Sequence, residues 1–352
     1  MSLESRLKAE IAAHGPISAA QYMLRCLHDP QDGYYATRPS LGVDGDFITA
    51  PLVSQMFGEL IGLWVAETWA RLGAPERFTL VEMGPGDGTL MYDAVRALSR
   101  VAPEALSASD LWLVETSAPL RMIQRQTLGE RPHWAPDLAG VPAGAPIILI
   151  ANELLDCLPA RQFVRTPEGW AERWVGLDAA GELAFGLQPL PPAMDFGQAP
   201  VGSVLERSEA QAAMGSAVGE RVVADGGAAL FLDYGRDAPG YGDTLQGLIR
   251  HEKVSALDRP GEADLTVHAD FPAFAQAARA ARAATTSIVE QGDFLRALGI
   301  EARAAALIAA RPDAADKVRR QLARLVDADQ MGSLFKAVAV HSPGLAPPGF
   351  ES

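Results

Sequence analysis

The sequence predicts an α/β protein built on a mostly parallel sheet with helices on both faces. Three observations carry this. Short apolar runs at 78–83, 111–115, 146–151 and 228–232, the last two uninterrupted, are separated by segments of helical periodicity. Strands that are apolar throughout are those covered on both faces. A glycine-rich turn follows the first run and opens a helix, as at the ligand-binding edge of open parallel sheets. The composition adds a core of sufficient size: 352 residues, 48% hydrophobic and 21% charged.

Taken in order, residues 1–75 read as an N-terminal helical extension. Helical spacing covers 18–27, HDPQDG at 28–33 is a turn, and 37–50 is a Gly- and Asp-rich loop. A helix from Ser54 towards Leu72 presents Met56, Leu60, Leu63, Trp64 and Val65 on one side and ends at Gly73-Ala74-Pro75. Residues 76–340 form the α/β domain. Its first strand leads to a helix at about 89–99, the second to a helix at about 119–128, and a weak third strand lies near Trp134. Polar, Gly-containing segments at about 160–225 and 236–290 read as insertions on the substrate side. Ala-rich helices at about 273–284 and 312–328 and a strand at 334–340 complete the domain, and 341–352 is an extended Pro- and Gly-rich tail.

Charge and cysteine content narrow the function. Thirty Lys and Arg against 44 Asp and Glu leave a net charge of −14. Nucleic-acid backbones and anionic membrane surfaces both select for the opposite sign. The field favours a cationic partner, although surplus acid is also ordinary solubilising surface. No apolar run approaches the roughly 18 residues that span a bilayer. Cys26 and Cys157 stand far apart with no Cys/His cluster, so neither a disulfide framework nor a metal site is expected. The N-terminus, MSLESRLKAEIAAHGPIS, lacks the apolar centre of a signal peptide. A bacterial cytoplasmic location is the expectation.

VEMGPGDGTL, residues 81–90, is the most informative segment. Glu82 closes a strand, then Gly84, Gly86 and Gly88 let the backbone turn sharply and approach a ligand. A dinucleotide fingerprint would need glycine where Thr89 stands, and a pyrophosphate would face Glu82 and Asp87. An acid followed by GxGxG matches the loop that class I methyltransferases place around S-adenosyl-L-methionine, whose amino group and sulfonium suit nearby carboxylates. A structural glycine turn and another nucleotide are the alternatives. Glu115, closing the second strand, can accept both hydroxyl protons of a ribose, or serve the dipole of the next helix. Asp137 and Leu138 can meet the adenine. Beyond the fourth strand, Asn152, Glu153 and Asp156 lie where a methyl group would be presented. Paired carboxylates there can orient a guanidinium, with helix capping as the competing role. In GEADLTVHADF, Asp264, Thr266, His268 and Asp270 alternate and would share one face of a strand. His268 is then a candidate base, against a structural histidine.

HDPQDGYY, GDFITAP, SQMFGEL, VEMGPGDGTL, ANELLDCLPARQF, GDTLQG, GEADLTVHADF, QGDFLRALGI and MGSLFKA occur together and in order. The series resembles the MidA-like family, which includes the mitochondrial complex I assembly-factor methyltransferases, over almost the whole chain. The resemblance implies a Rossmann-like class I methyltransferase fold with S-adenosyl-L-methionine as cofactor. It implies protein-arginine N-methylation of a respiratory complex I core subunit, the partner being a basic protein or peptide. It assigns Glu82, Gly84, Gly86, Gly88 and Glu115 to the cofactor, and Asp46, Thr49 and Pro51 to a loop folding over it. Leu52, where the family has an acid, Asp87, where it often has a basic residue, and Ile249–Arg250–His251, where it has Arg-Gly-His, depart from the pattern, the first and last on the substrate side. Those departures keep open a paralogue acting on a small molecule, and a non-catalytic assembly chaperone that retains the cofactor fold. A homodimer is also left open.

Overall fold

The computed structural model describes residues 1–37, 49–191, 194–249 and 252–351. Asp46, Arg250 and His251 lie outside them. The central layer is a parallel sheet of β1 (Phe78–Met83), β2 (Ser109–Val114), β3 (His133–Ala135), β4 (Ile147–Asn152) and β5 (Gly227–Arg236). An antiparallel β6 (Phe335–His341) pairs with β5 from Ala228 to Tyr234. The spatial order is β3-β2-β1-β4-β5-β6. The chain leaves β1 in one direction and returns beside it as β4, so a crevice opens at their carboxyl ends.

The strands are apolar on both faces because successive residues serve opposite layers. Leu80, Ile148, Ile150 and Leu230 pack under α1 (Gln55–Arg71) and α2 (Thr89–Val101) with Phe57, Leu60, Ile61, Trp64 and Met91. Val81, Leu149, Ala229 and Phe231 pack under α4 (Glu209–Asp225) and α5 (Phe271–Ala280), against Val218, Val222, Phe271 and Phe274. A further helix, α3 (Ala118–Leu128), follows β2. Each fully buried large side chain contributes about 1.5–3 kcal/mol. Gly58 and Gly62 bring α1 against α2, because a Cβ would stand 2.6 Å from Asp93 Cβ at the first and 2.6 Å from the Ala94 carbonyl at the second. That close packing makes α1 part of the three-layer unit rather than of an extension.

The earlier N-terminal residues join the inserted segment instead. Leu3–His14 and Ala19–His28 share an apolar cluster with Val175 and Leu265, and Ile17–Ser18 pairs with the strand Gly169–Leu177. That strand belongs to an antiparallel sheet with Arg161–Thr166, Leu183–Pro189 and Val204–Arg207. Residues 209–225, expected within the insertion, are α4 of the central unit. A second small sheet combines Gln246–Ile249, Glu252–Val254 and Asp264–Thr266. The tail does not run free: Arg71 pairs with Glu351 at 2.7 Å, and the Phe350 ring lies 5.1 Å from Phe294.

The expected single face for Asp264, Thr266, His268 and Asp270 is corrected by the pairing. Asp264–Thr266 runs antiparallel to Gln246–Ile249, whereas Ala269–Asp270 pairs parallel with Gly235–Arg236 of β5. The chain changes sheets between these pairs, so alternation is broken and the side chains diverge. Asp270 caps α5 through the Ala273 N–H and pairs with Arg236.

Candidate active site

A cleft of about 780 Å³ opens at the carboxyl ends of β1, β2 and β4, a size suited to a cofactor and part of a second substrate. Its cofactor end is built from local sequence. After Glu82 the loop needs φ of 65° at Gly84 and 55° at Gly86, and Gly88, at 84°, starts α2. Any other residue is strained there. The Gly84 N–H donates to the Val114 carbonyl at 3.1 Å, tying the loop to β2. Gly88 lies against Leu128 and does not line the cleft, so its part is to start the helix.

Glu115 accepts from the Ser117 N–H at 2.7 Å and from the Gln124 side chain at 3.3 Å. It thus meets the start of α3 and the cleft at once. Gln124 also donates to the Gly86 carbonyl at 2.8 Å and accepts from Trp134 Nε1 at 2.8 Å. One buried amide therefore braces the glycine loop, Glu115 and β3. Sequence reasoning missed it, because a glutamine inside a helical pattern carries no motif. Asp137 accepts from the Gly140 N–H at 2.9 Å, which caps a short turn, and both it and Leu138 line the cleft with Thr49, Pro51 and Leu52.

The polar groups left over define the ligand. Glu82 is 2% exposed, and its Oε2 has no hydrogen-bond partner among the described residues; neither has Asn152 Oδ1. They project from the ends of neighbouring strands, β1 and β4. A buried acceptor without a donor costs about 1–3 kcal/mol, so the pair calls for an ammonium or hydroxyl. Burial, and then Asp87, push the Glu82 carboxyl well up. Glu82, Asp87, Glu115, Asp137, Glu153, Asp156 and Asp264 line the cleft, with no Lys or Arg among its described lining residues. Such walls repel a phosphate and suit a ligand with an ammonium, a sulfonium and a diol. The residues fit S-adenosyl-L-methionine.

The other end is assembled from distant segments. Glu153 follows β4 with φ at 52°, left-handed backbone in which a non-glycine residue stores about 1–2 kcal/mol. Its Oε1 accepts from the Ala50 N–H at 3.2 Å and the Asn152 amide at 3.1 Å. Desolvation, then Asp156, push its carboxyl up to about 7. Asp156 is pushed up to about 6 by burial, against the pull of the Tyr234 hydroxyl 2.6 Å away. Behind them Asp233 accepts from the Leu155 and Asp156 N–H groups at 2.8 and 3.1 Å, and burial holds its carboxyl well up. Tyr35 donates to Asp264 at 3.2 Å, and His28 stacks on Tyr35 at 5.6 Å. His28 and Tyr35 were read only as part of a turn-containing extension. Their place in the cleft follows from docking that extension on the inserted segments.

His268 is not in this constellation. It lies in a separate hollow with Thr244, Gln246 and Lys253, its backbone N–H donating to Thr244 Oγ1 at 2.9 Å, and burial lowers its imidazole pKa. It meets the far side of the Tyr234 ring at 5.7 Å. The reading of His268 as a base is therefore withdrawn. Among the described residues no group of His, Cys, Asp and Glu is arranged to hold a metal ion, and no helix is long and apolar enough to cross a membrane.

Known proteins share this architecture. The family model Methyltransf_28, an S-adenosyl-L-methionine-dependent methyltransferase, matches residues 60–289. The chain is similar to the mitochondrial protein arginine methyltransferase NDUFAF7 of Mus musculus, 36% identical over 371 residues, covering 95% of this chain and 83% of that one. Its Drosophila melanogaster homologue is 34% identical over 383 residues, covering 98% and 85%. A COG1565 superfamily member from Burkholderia thailandensis, in a crystal structure bound to S-adenosyl-homocysteine, superposes with a TM-score of 0.83 at 29% identity, covering 99% of this chain and 92% of that one. With a cleft whose walls suit that cofactor, the chain belongs to the S-adenosyl-L-methionine-dependent methyltransferase family.

Proposed function

We propose that this methyltransferase acts on the guanidinium of an arginine in a protein, and that Glu153 and Asp156 hold that cation at the methyl end of the cleft. One observation carries the reading. Glu153, Asp156 and Asp233 crowd the ends of β4 and β5, yet no described Lys or Arg makes an ion pair with any of them. Asp156 and Asp233 are buried and Glu153 is half-buried, and mutually repelling carboxylates so placed are strongly stabilised by an arriving cation. A guanidinium also offers five N–H donors in a planar fork that matches two carboxylates. The arginine methyltransferase names of the mouse and fly relatives support the same choice.

S-adenosyl-L-methionine, when bound, supplies an electrophilic methyl group on sulfur. Glu82 and Asn152 would hold its amino group, Glu115 its ribose, and Leu138 the adenine side. Glu153 and Asp156 would orient the acceptor nitrogen in line with the methyl, so that a displacement step becomes effectively intramolecular. A carboxyl at about 7 is suited to accept the nitrogen's proton near neutrality.

The resemblance extends the proposal to a core subunit of respiratory complex I as the acceptor, in a bacterium within the cytoplasm. The test is incubation of the purified chain with methyl-labelled cofactor and the cognate subunit, followed by peptide mass spectrometry. Label on arginine is expected. Label confined to another residue type, or found only on small molecules, refutes the reading.

A further inference from the structure

The end of β5 holds the turn that carries Asp156 by both backbone and side chain. Asp233 accepts from the Leu155 and Asp156 N–H groups, and the next residue, Tyr234, donates its hydroxyl to Asp156 Oδ2 at 2.6 Å. The Tyr234 ring is fixed from several sides. It meets Phe335 edge-on at 5.5 Å and His268 at 5.7 Å, its backbone is in register with Phe335 of β6, and the Thr266 hydroxyl bonds to its oxygen. The Glu153 backbone N–H donates to the Leu232 carbonyl of β5 at 2.9 Å, but its carboxylate has no share in this support. The partners of that carboxylate are the Ala50 N–H and the Asn152 amide.

The two carboxylates of one turn are thus supported differently. Asp156 faces Glu153 and Cys157 on its own segment, Asp233 and Tyr234 on β5, and Tyr35 and Asp264 across the cleft, with His28 hydrogen-bonded to the Cys157 backbone. Within that set Tyr234 supplies Asp156 with a neutral hydroxyl donor at short range, and such a bond favours the ionised carboxylate. Glu153, with an amide and a backbone N–H at longer distances, is left to take up the proton.

We propose that Tyr234 is a positioning residue: its hydroxyl holds Asp156 as the anionic anchor of the acceptor cation and leaves Glu153 as the proton acceptor. The inference rests on the arginine reading above for the identity of the cation. As the acceptor nitrogen bonds to the methyl carbon and the C–S electron pair stays on sulfur, the proton lost by nitrogen passes to Glu153 and then to water. Tyr234 itself neither gains nor loses a proton over the cycle.

The test compares the full chain with Tyr234→Phe, both loaded with S-adenosylhomocysteine and labelled with 13C at Asp and Glu carboxyls. NMR follows the carboxyl titrations, the Asp156 resonance being assigned by its loss in Asp156→Asn. Calorimetry measures binding of methylguanidinium chloride. Loss of the hydroxyl is expected to raise the Asp156 proton affinity about tenfold, one pH unit. It is expected to weaken methylguanidinium binding about fivefold or more near pH 7.5, and to leave S-adenosylhomocysteine affinity within twofold. An unmoved Asp156 titration overturns the proposal. So does an equal loss of methylguanidinium and S-adenosylhomocysteine affinity, the mark of a merely structural residue. A shifted Asp156 with methylguanidinium bound by neither protein supports the role of Tyr234 and overturns the arginine reading. Should Tyr234→Phe fail to fold, Thr266→Val, which removes the hydroxyl bonded to Tyr234, decides: a smaller rise in the same direction is expected, and no rise overturns the proposal.

Discussion

Glu153→Gln should make the free protein more stable in alkaline solution while disabling it as an enzyme. A carboxyl moved from 4.5 to about 7 has an ionised form disfavoured in the fold by about 3 kcal/mol. The folded chain therefore binds this proton more tightly than the unfolded chain does. Stability is lost as pH rises from the unfolded value through about 7, and stays lost above it. Glutamine keeps an oxygen for the Ala50 N–H and carries no charge, so it imitates the protonated residue. The variant should match wild type near pH 4.5 and exceed it by up to about 3 kcal/mol at pH 8.5, a rise of several degrees in Tm. Relief of Asp156 acts in the same direction. Circular-dichroism melts of both proteins at the two pH values give the comparison, and parallel transfer assays should show a loss of about 100-fold or more. Melting curves that differ equally at both pH values would refute the idea that crowded carboxylates await a cation, and a variant less stable at pH 8.5 would do so more directly.

Other outcomes follow from single contacts. Gly84→Ala would place a Cβ 3.0 Å from Leu154 Cδ1 on backbone at φ 65°, so S-adenosylhomocysteine affinity by calorimetry should fall about tenfold, through roughly 1–2 kcal/mol of strain. Glu115→Gln keeps an oxygen for the Ser117 N–H but loses the charged acceptor facing the cleft, and cofactor affinity should drop by about 10- to 100-fold with little change in Tm. His268→Ala should cost no more than about threefold in kcat, because Phe335 and Thr266 still hold the Tyr234 ring; a loss of 100-fold would restore His268 as a base.

The two halves of the cleft differ in how far they could be read from the sequence, and the reason is chain topology. The cofactor half is local. A strand, a tight turn and a helix within ten residues oblige Glu82 and Gly84 to adjoin one another, and β2, pairing next to β1, delivers Glu115 in register. The parallel strands were legible because short apolar runs between helical segments have few other uses. The acceptor half draws on residues 28–35, 49–51, 153–156, 233–234 and 264, which no periodicity connects. The pairing of Leu232 with Asn152 joins the third and fourth of these, and only the docking of Leu3–His28 on the small sheets brings in the first. Alternation failed at His268 for a related reason: period two holds only while a strand stays in one sheet.

Net charge behaves in the same way. The value of −14 excludes polyanionic partners but cannot locate a site, since most of the 44 acidic residues lie outside the cleft. Several surface acids are already paired, as Asp32 is with Arg6 and Asp243 with Arg173. The informative quantity is local imbalance, and it arises where β4 and β5 end together. Glu153, Asp156 and Asp233 remain there without a basic partner among the described residues, at the cost of raised carboxyl pKa values and a left-handed residue. A sheet edge optimised for stability alone would have replaced them with amides or paired them with arginine. Because strain and charge repulsion coincide at the same turn, binding of a cation should relieve both. Methylguanidinium should therefore raise the Tm of wild type more at pH 8.5 than at pH 5.5, and that pH dependence should be absent in a Glu153→Gln, Asp156→Asn double variant; an equal rise in Tm for both proteins would place the cation elsewhere on the surface.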